Sequence, residues 1–522
     1  MTPYLSTMPS TRHFARHAIA IGAIAMLSAC VSFHGIQSQA TMKSLSSEMS
    51  AGLYAEQKGQ TQQRSKWSEN QWPDSQWAQH IGGQDLQDLI DAGLANNPSL
   101  QIAAARISAA KALSESVGAN ELPSVNASLD STYQRFTENG LIPPPLAGNY
   151  KTNNQLALNF SYELDFWGKH RAEMRTALSQ EKVAEAEQQS TRLMLSNAIA
   201  RTWLQLARQY AQLEISNQQL QVREKLDQLT AQRVRAGLET KSEVQQGLIQ
   251  TSSIKNDMIL WQEAIALSRN QLAALLGAGP ERGHQIGRPV FSASTQSGVP
   301  ADLPLELMAR RPDIVAARWR VEAVQGEIDV SKTQFYPNIN LVGFAGVSSL
   351  GLDKLLNTGS TIIGAGPAIR LPIFEGGRLR AQLKSKVASY DAAVATYNQS
   401  LTDALREIAD QVKTLQSSEV QAQQQQASEA AANAVLQLAQ QRQKAGTANV
   451  LPVLSAEAAL LTQKKISLDI AIRHADSQIN LIKALGGGYD RKALATVPTS
   501  QTKPISQTSK TMIPASNKSE AK

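Results

Sequence analysis

Thiol and imidazole are the side chains of this chain best suited to chemistry, and both are scarce. Its 522 residues hold one cysteine, Cys30, and seven histidines, at 13, 17, 34, 80, 170, 284 and 474. A lone thiol excludes an internal disulfide framework and a Cys-rich zinc module. Beyond His13 and His17 no two histidines lie three or four residues apart, so no helix offers paired imidazoles to a metal. The chain has no Gly-rich phosphate loop ending in Lys-Ser/Thr, and no Gly-x-Ser-x-Gly turn to expose a serine nucleophile. The residues therefore predict no catalytic site, no metal and no cofactor. The one reactive group with a telling position is Cys30. Arg12 and Arg16 precede a short apolar run, Ala18 to Met26, and then Leu27, Ser28 and Ala29. A basic start, a short apolar stretch and small residues at its end describe a secretory leader. The run is too short to span a membrane comfortably.

The Leu-Ser-Ala-Cys sequence at 27–30 resembles the bacterial lipobox, in which the cysteine becomes the lipidated first residue of the mature protein. The competing reading is an ordinary leader with a buried cysteine. On the lipobox reading residues 1–29 are removed and 30–82 form an extended, lipid-anchored segment. In lipoproteins an Asp after the cysteine favours retention at the inner membrane. Val31 stands there, which favours the outer membrane. No later stretch supplies ~20 consecutive apolar residues, so no transmembrane helix is expected. Of the formal charge of +7, the first 29 residues hold +2 and residues 490–522 hold +4. The near-neutral remainder argues against a nucleic-acid partner, which needs clustered positive charge on the folded part.

The body is written twice. Asn97-Pro98 and Arg311-Pro312 each open a helical pattern that Pro123 and Pro337 close, at an offset of 214 residues. Gly168 and Gly377, Ala236-Gly237 and Ala445-Gly446, and Leu276-Gly277 and Leu485-Gly486 all repeat at an offset of 209. The change of five residues falls where the first copy carries a loop-like insert, 139–148. The copies are 83–277 and 303–486, joined by a linker, 278–302, and followed by a polar tail, 487–522, that reads as disordered.

Each copy reads as helix, two strands, a very long helix and a shorter helix. Residues 171–236 and 378–445 lack both Gly and Pro. The predicted long helices, 170–236 and 378–445, would each reach about 100 Å. Ile199, Trp203, Leu206, Tyr210 and Leu213 step by four and three, the seam of packed, coiled-coil-like helices. Gly237 and Gly446 suit left-handed helix caps. Thr240 to Glu243 reads as a capping box restarting helix 241–276. Asn449 and Pro452 suit the start of helix 450–485. Helices 98–121 and 241–276, set end to end, would nearly match the long helix beside them.

The predicted strands are 123–137, 153–166, 337–347 and 361–374. In 155–166 Leu156, Leu158, Phe160 and Tyr162 alternate with Gln155, Ala157, Asn159 and Ser161. Period two at this length fits a lipid-facing barrel strand, and also a half-buried strand of a soluble sandwich. Four strands cannot close a barrel, and open edges are not tolerated in lipid. Three chains would pool twelve. Phe166-Trp167, Phe335-Tyr336 and Phe374 read as an aromatic girdle where strands meet helices. A lipid-anchored coiled-coil adhesin or scaffold is the competing reading, and it would need no amphipathic strands.

The lipobox, Glu306 to Ile314 (ELMARRPDI), Phe335 to Leu341 (FYPNINL), Leu371 to Leu379 (LPIFEGGRL) and Leu485 to Tyr489 (LGGGY) together resemble the outer-membrane factors of tripartite efflux pumps, TolC-like lipoproteins. Within these the chain looks nearest to exporters of fusaric-acid-type aromatic compounds. The resemblance implies a mostly α protein: an α-barrel of long helices below a twelve-stranded β-barrel shared by a homotrimer. It implies a passive duct for small toxic compounds, joined to a periplasmic adaptor and an inner-membrane transporter. It carries adaptor contact onto the hairpin turns at Arg235, Ala236 and Gly237 and at Lys444, Ala445 and Gly446. Family members often place acids just past the second turn, at the closed aperture. The matching positions here are Pro452 and Ser455, and Glu457 lies at another helical angle.

Overall fold

A computed structural model of the chain describes residues 33, 35–43, 76–291 and 310–487. The leader, Cys30, most of the segment before residue 82, residues 292–309 and the tail after Gly487 lie outside the described residues.

The first copy begins with α1 (Gln79–Asn96), a helix that no sequence pattern singles out. The extended segment expected up to residue 82 stops short of that, because Gln79 to Gly82 are already helical. Ile81, Leu86 and Ile90 find a wall on the long helix, in one core with Ile199 and Trp203. Burying three such side chains gains about 1.5–3 kcal/mol each, enough to outweigh the poor helix propensity of Gly82, while Gly83 kinks the helix at φ +67°. The chain continues as α2 (Pro98–Ala119), β1 (Ser124–Arg135), β2 (Tyr150–Glu163), α3 (Lys169–Arg235) and α4 (Lys241–Leu275). A short helix, α5 (Pro280–His284), stands in the linker. The second copy holds α6 (Pro312–Thr333), β3 (Asn338–Leu350), β4 (Thr361–Arg370), α7 (Arg378–Lys444) and α8 (Leu451–Ala484).

The strands form one antiparallel sheet in the order β1-β2-β3-β4. Directly paired residues share a face, so the register sorts the side chains. Ala127, Leu158, Ala345 and Ile363 make one cross-strand row, and Leu129, Leu156 and Val347 another. The opposite face carries Asn126, Asn159, Phe344 and Gly364 in register. Period-two patterning therefore produces an apolar face across the sheet, and that face is uncovered: Val125 is 64% exposed, Leu129 67% and Ile363 81%. The other face is polar on β1 and β2 but mixed on β3 and β4, where the Phe344 ring lies over Gly364. Gly346 lets the two halves meet, because a Cβ there would collide with the Leu156 carbonyl and Ala157.

The helices pack as four rods side by side: α2 with α4, then α3, then α6 with α8, then α7. Both α3 and α7 are 67 residues long, about 100 Å. The predicted stripe is the core of this layer, with Ile199 and Leu206 fully buried on α3 and Ile408 on α7. Each strand stands on its own rod: β1 continues from α2, β2 runs into α3, β3 continues from α6 and β4 runs into α7. The edge strands β1 and β4 thus stand on the outermost rods. Those rods keep large apolar side chains exposed, Ile249, Ile259 and Leu267 on α4 and Val420, Val435 and Leu438 on α7.

Candidate functional site

Three places could serve transport: the hairpin turns, the joints that splice the interrupted rods, and the level where strands meet helices.

The two hairpin turns are built alike. The Leu238 N–H donates to the Arg233 carbonyl at 2.8 Å and the Gly237 N–H to Val234 at 3.0 Å. Thr447 and Gly446 donate to Arg442 and Gln443 in the same way, both at 3.0 Å. These paired bonds satisfy the last carbonyls of each long helix and need a left-handed residue. Gly237 and Gly446 supply it, at φ +72° and +71°. A Cβ at either would meet nothing within 4 Å, so backbone conformation and not packing demands glycine. Arg235, Ala236, Lys444 and Ala445 are all exposed at the turns.

Past the glycines the two turns differ. The expected capping box at Thr240 does not form, since its hydroxyl makes no cap bond. The Glu243 N–H reaches the Thr240 carbonyl at 3.2 Å instead, and Arg233 pairs with Glu239 at 3.1 Å across the turn. The ion pair holds the loop, which leaves the Thr240 side chain unused. In the second turn Asn449 does cap, accepting from the Leu451 N–H at 3.1 Å. Pro452 and Ser455 fall on one exposed stripe of α8 with Ala459, Thr462 and Ile466, while Val453 and Leu454 are buried behind them. The stripe is uncharged.

The joints use equivalent positions with different chemistry. At the first, the Asn97 side-chain amide donates to the Leu275 carbonyl, the end of α4, at 2.8 Å, while its oxygen caps α2 through the Ser99 N–H at 2.8 Å. At the second, Arg311 donates to the Ala484 carbonyl, the end of α8, at 3.1 Å, to Glu407 on α7 at 3.0 Å and to Asp313 at 2.6 Å. Sequence spacing marks both residues as helix starts but misses that each also ties off the other helix of its own rod. Arg311 is 7% exposed. Burial alone would lower its guanidinium, but the bonds and charges of Asp313 and Glu407 win and hold it above its ordinary value. Burial likewise pushes Asp313 up, and Arg311 outweighs it, keeping the carboxyl below the usual range. Gly277 and Gly486 seat the joints closely, since a Cβ at either would strike the backbone of Asn96 or Arg310.

At the strand–helix level, Trp167 stacks on Tyr336 at 4.7 Å and donates to the Pro337 carbonyl at 2.7 Å. Phe166 is 64% exposed and Phe374 88%. A strap formed by residues 35–43 runs beside α6 and α7. Phe33 meets Phe335 edge-on at 5.1 Å, Ile36 is buried with Ile328 and Leu383, and Asn398 holds the backbone of Lys43 and Thr41. Among the described residues no group of three His, Cys, Asp or Glu side chains is placed to hold a metal, and no helix is long and apolar enough to cross a membrane. The sheet is a separate matter, because strands cross as a barrel.

The model of the outer membrane efflux protein family matches residues 89–278 and 303–487. The chain belongs to that family. It is 31% identical over 423 residues to the multidrug resistance outer membrane protein MdtQ of Escherichia coli O157:H7, covering 78% of this chain and 86% of that one. It is 38% identical over 304 residues to the fusaric acid resistance protein FusA of Burkholderia cepacia, a match spanning 57% of each. Among solved structures, the outer membrane protein VceC of Vibrio cholerae superposes with a TM-score of 0.73 at 36% identity, covering 80% of this chain and all of that one. The amphipathic sheet and long helical hairpins are accordingly those of an outer-membrane efflux channel, with strands in the outer membrane and helices extending into the periplasm.

Proposed function

We propose that three copies of this chain assemble into one passive duct of a tripartite efflux pump. The observation that carries this is the coincidence of open edges: β1 and β4, each with one unpaired edge, stand on the outermost rods, whose apolar side chains are also uncovered. Unpaired strand edges cannot face lipid. Joining β4 of one copy to β1 of the next brings α7 against α2 and α4 in the same step. Three copies give twelve strands and close the ring.

In this reading residues 83–277 and 303–486 are an internal duplication, supported by the two separate family matches. Cys30 carries lipid. Three residues span at most about 10 Å, and Phe33 is held at the strand–helix level by Phe335, so an acyl chain there reaches the membrane. The turns at Arg235, Ala236 and Gly237 and at Lys444, Ala445 and Gly446 meet a periplasmic adaptor, which couples the duct to an inner-membrane transporter. Pro452 and Ser455 line the closed aperture, an uncharged ring without a cation site. Adaptor docking shifts a population from closed to open packing. The cargo is small toxic compounds, in keeping with relatives named for multidrug and fusaric acid resistance. Energy comes from the transporter, and the duct catalyses nothing.

Planar-bilayer recording tests this reading. Purified full-length protein should insert and give discrete conductance steps, with a detergent mass of three subunits. A stable monomer that conducts nothing would end the proposal.

A further inference from the structure

The two hairpins of the sheet are paired in one and the same register. Ser124 stands opposite Ser161 in β1 and β2, and Asn338 opposite Arg370 in β3 and β4. Adding the repeat offsets, 214 to the first strand and 209 to the second, turns the first pair into the second. The other end of the ladder obeys the same rule, since Tyr133 opposite Thr152 becomes Val347 opposite Thr361. Between the hairpins lies the β2–β3 ladder, in which Ser161 stands opposite Val342 and Asn159 opposite Phe344. Its counterpart between copies is β4 against β1 of the next copy. Carried across by the same offsets, the β2–β3 register sets Arg370 opposite Ser128 of the neighbouring copy, and Ala368 opposite that copy's Asp130. The faces agree in this register, because Ile369 then meets the neighbour's Leu129 on the apolar side. A slip of one residue would turn one copy's apolar face inward.

The edge strands carry charges that fit this register. On the face that closure turns to the lumen, the only charge of β1 is Asp130 and the only charge of β4 is Arg370. Both are exposed, and among the described residues neither side chain makes a hydrogen bond or an ion pair. Their own sheet offers them no opposite charge. Asp130 stands opposite Gln155. Arg370 stands opposite Asn338, whose amide already donates to Glu163 at 2.7 Å, and Glu163 is itself paired with Lys169 at 3.0 Å. Within one chain Asp130 and Arg370 occupy opposite edges of the sheet, three strand spacings or about 14 Å apart at the least. Across the seam they become diagonal neighbours, about 7–8 Å apart along the backbone, which a long arginine side chain spans.

We propose that Arg370 pairs with Asp130 of the next copy, an ion pair on the lumen face of each seam that joins the copies in the register of the β2–β3 ladder. The proposal rests on the three-copy reading. Slips of two residues keep both faces in place, and in one direction such a slip sets Arg370 opposite Asn126 and leaves both charges single. The pair stands against that slip. Paired cysteines test the register in full-length protein in detergent. Gly366 falls directly opposite Thr132 of the neighbour, and a side chain at Gly366 meets nothing within 4 Å. Directly opposite residues lie within disulfide reach, whereas diagonal ones lie beyond it. Gly366→Cys with Thr132→Cys should therefore oxidise to covalent trimers on a denaturing gel. Either cysteine alone should not, nor should Gly366→Cys with the second cysteine moved to Asp130 or Gln134. No link can close within one chain, where the two strands are about 14 Å apart. Charge exchange tests the pair. Arg370→Asp or Asp130→Arg sets like charges at all three seams and should lower the temperature at which trimers dissociate. The double exchange should restore it. A double exchange as weak as the single ones overturns the pair. Trimers that link at Asp130 or Gln134, or at none of these positions, overturn the register and leave the assembly standing. Protein that stays monomeric without any substitution sinks the three-copy reading itself.

Discussion

Arg311→Ala should destabilise the helical layer in a way that fades in acid. The substitution strands three acceptors at once, namely the Ala484 carbonyl, Glu407 and Asp313. Breaking a fully buried charge pair costs about 3–5 kcal/mol. Here the acids are partly solvated, with side chains 40% exposed at Asp313 and 32% at Glu407, so water recovers part of that. About 3 kcal/mol is expected near neutral pH, a fall in Tm of roughly 3–6 °C for a chain this large. The pH dependence is the sharper test. In the intact protein the Asp313 carboxyl is held below its ordinary value, so its contribution is present above about pH 4 and lost as pH falls through the lowered folded value. Without Arg311, burial is left to push the carboxyl up. Its sign then reverses: the protonated form is favoured in the fold, and stability drains as pH rises through the raised value. Melting both proteins by circular dichroism at pH 7 and pH 4.5 should show the gap narrowing in acid. Asn97→Ala, which removes an uncharged tie and a cap at the first joint, should cost about 2 kcal/mol with no such trend. A gap for Arg311→Ala that stays constant across this range would refute the reasoning.

Gly446→Val or Gly237→Val forces a β-branched residue into a left-handed conformation at a cost of about 1–2 kcal/mol, with no clash to relieve. Either should abolish efflux in a drug-susceptibility assay while oligomers survive in detergent; retained resistance would count against adaptor contact at these turns. His474, beside Ser418 at 2.9 Å, is held below its ordinary value by burial, with Glu419 opposing. A buried neutral imidazole disfavours the fold progressively as pH drops below about 6.5 through the lowered folded value. His474→Gln should flatten that loss in thermal melts between pH 7 and pH 5, and an unchanged slope would show that the imidazole is not its source.

Much of the fold is legible in the sequence because it rests on short periods. Alternation in Leu156, Leu158 and Phe160 assigns a face that the register bears out, and the turn glycines announce both hairpins. The second half of the sheet is harder to read. Phe344 and Ile362 lie on the face that is polar on the other strands, and no local pattern reveals that a ring will rest over Gly364. Helix α1 escapes notice since Gly82 and Gly83 argue locally against a helix, and Gly83 does kink it; the core around Ile199 and Trp203, some 120 residues on, supplies the reason for the rest to form. Thr240 misleads because a capping box is a local rule, and a longer-reaching ion pair between Arg233 and Glu239 already holds the loop. The second roles of Asn97 and Arg311 bind carbonyls more than 170 residues away, beyond any window of sequence.

The two joints suggest why one repeat carries a charged splice and the other a neutral one. At the first joint Asn97 satisfies the end of α4 and the start of α2, and its side-chain bonds stay within that one rod. Its rod is outermost, and in the proposed assembly its far side meets a neighbour. At the second joint the rod of α6 and α8 lies between α3 and α7, and Arg311 reaches α7 through Glu407, which Lys483 also approaches at 3.7 Å. A guanidinium presents donors in several directions where an amide presents few, so it can bind a rod end, its own helix start and the adjacent rod together. The charged joint thus ties α7, the last rod, to the body of its own subunit. Below it α3 and α8 are still tied by Arg201 to Asp476 at 2.6 Å and by Arg208 to Asp469 at 3.0 Å; only nearer the turns does their contact become apolar, among Val222, Leu454 and Leu461, where it can separate without stranding a charge. Movement at the turns therefore need not reach the strands, and the membrane end can stay sealed while the periplasmic end opens.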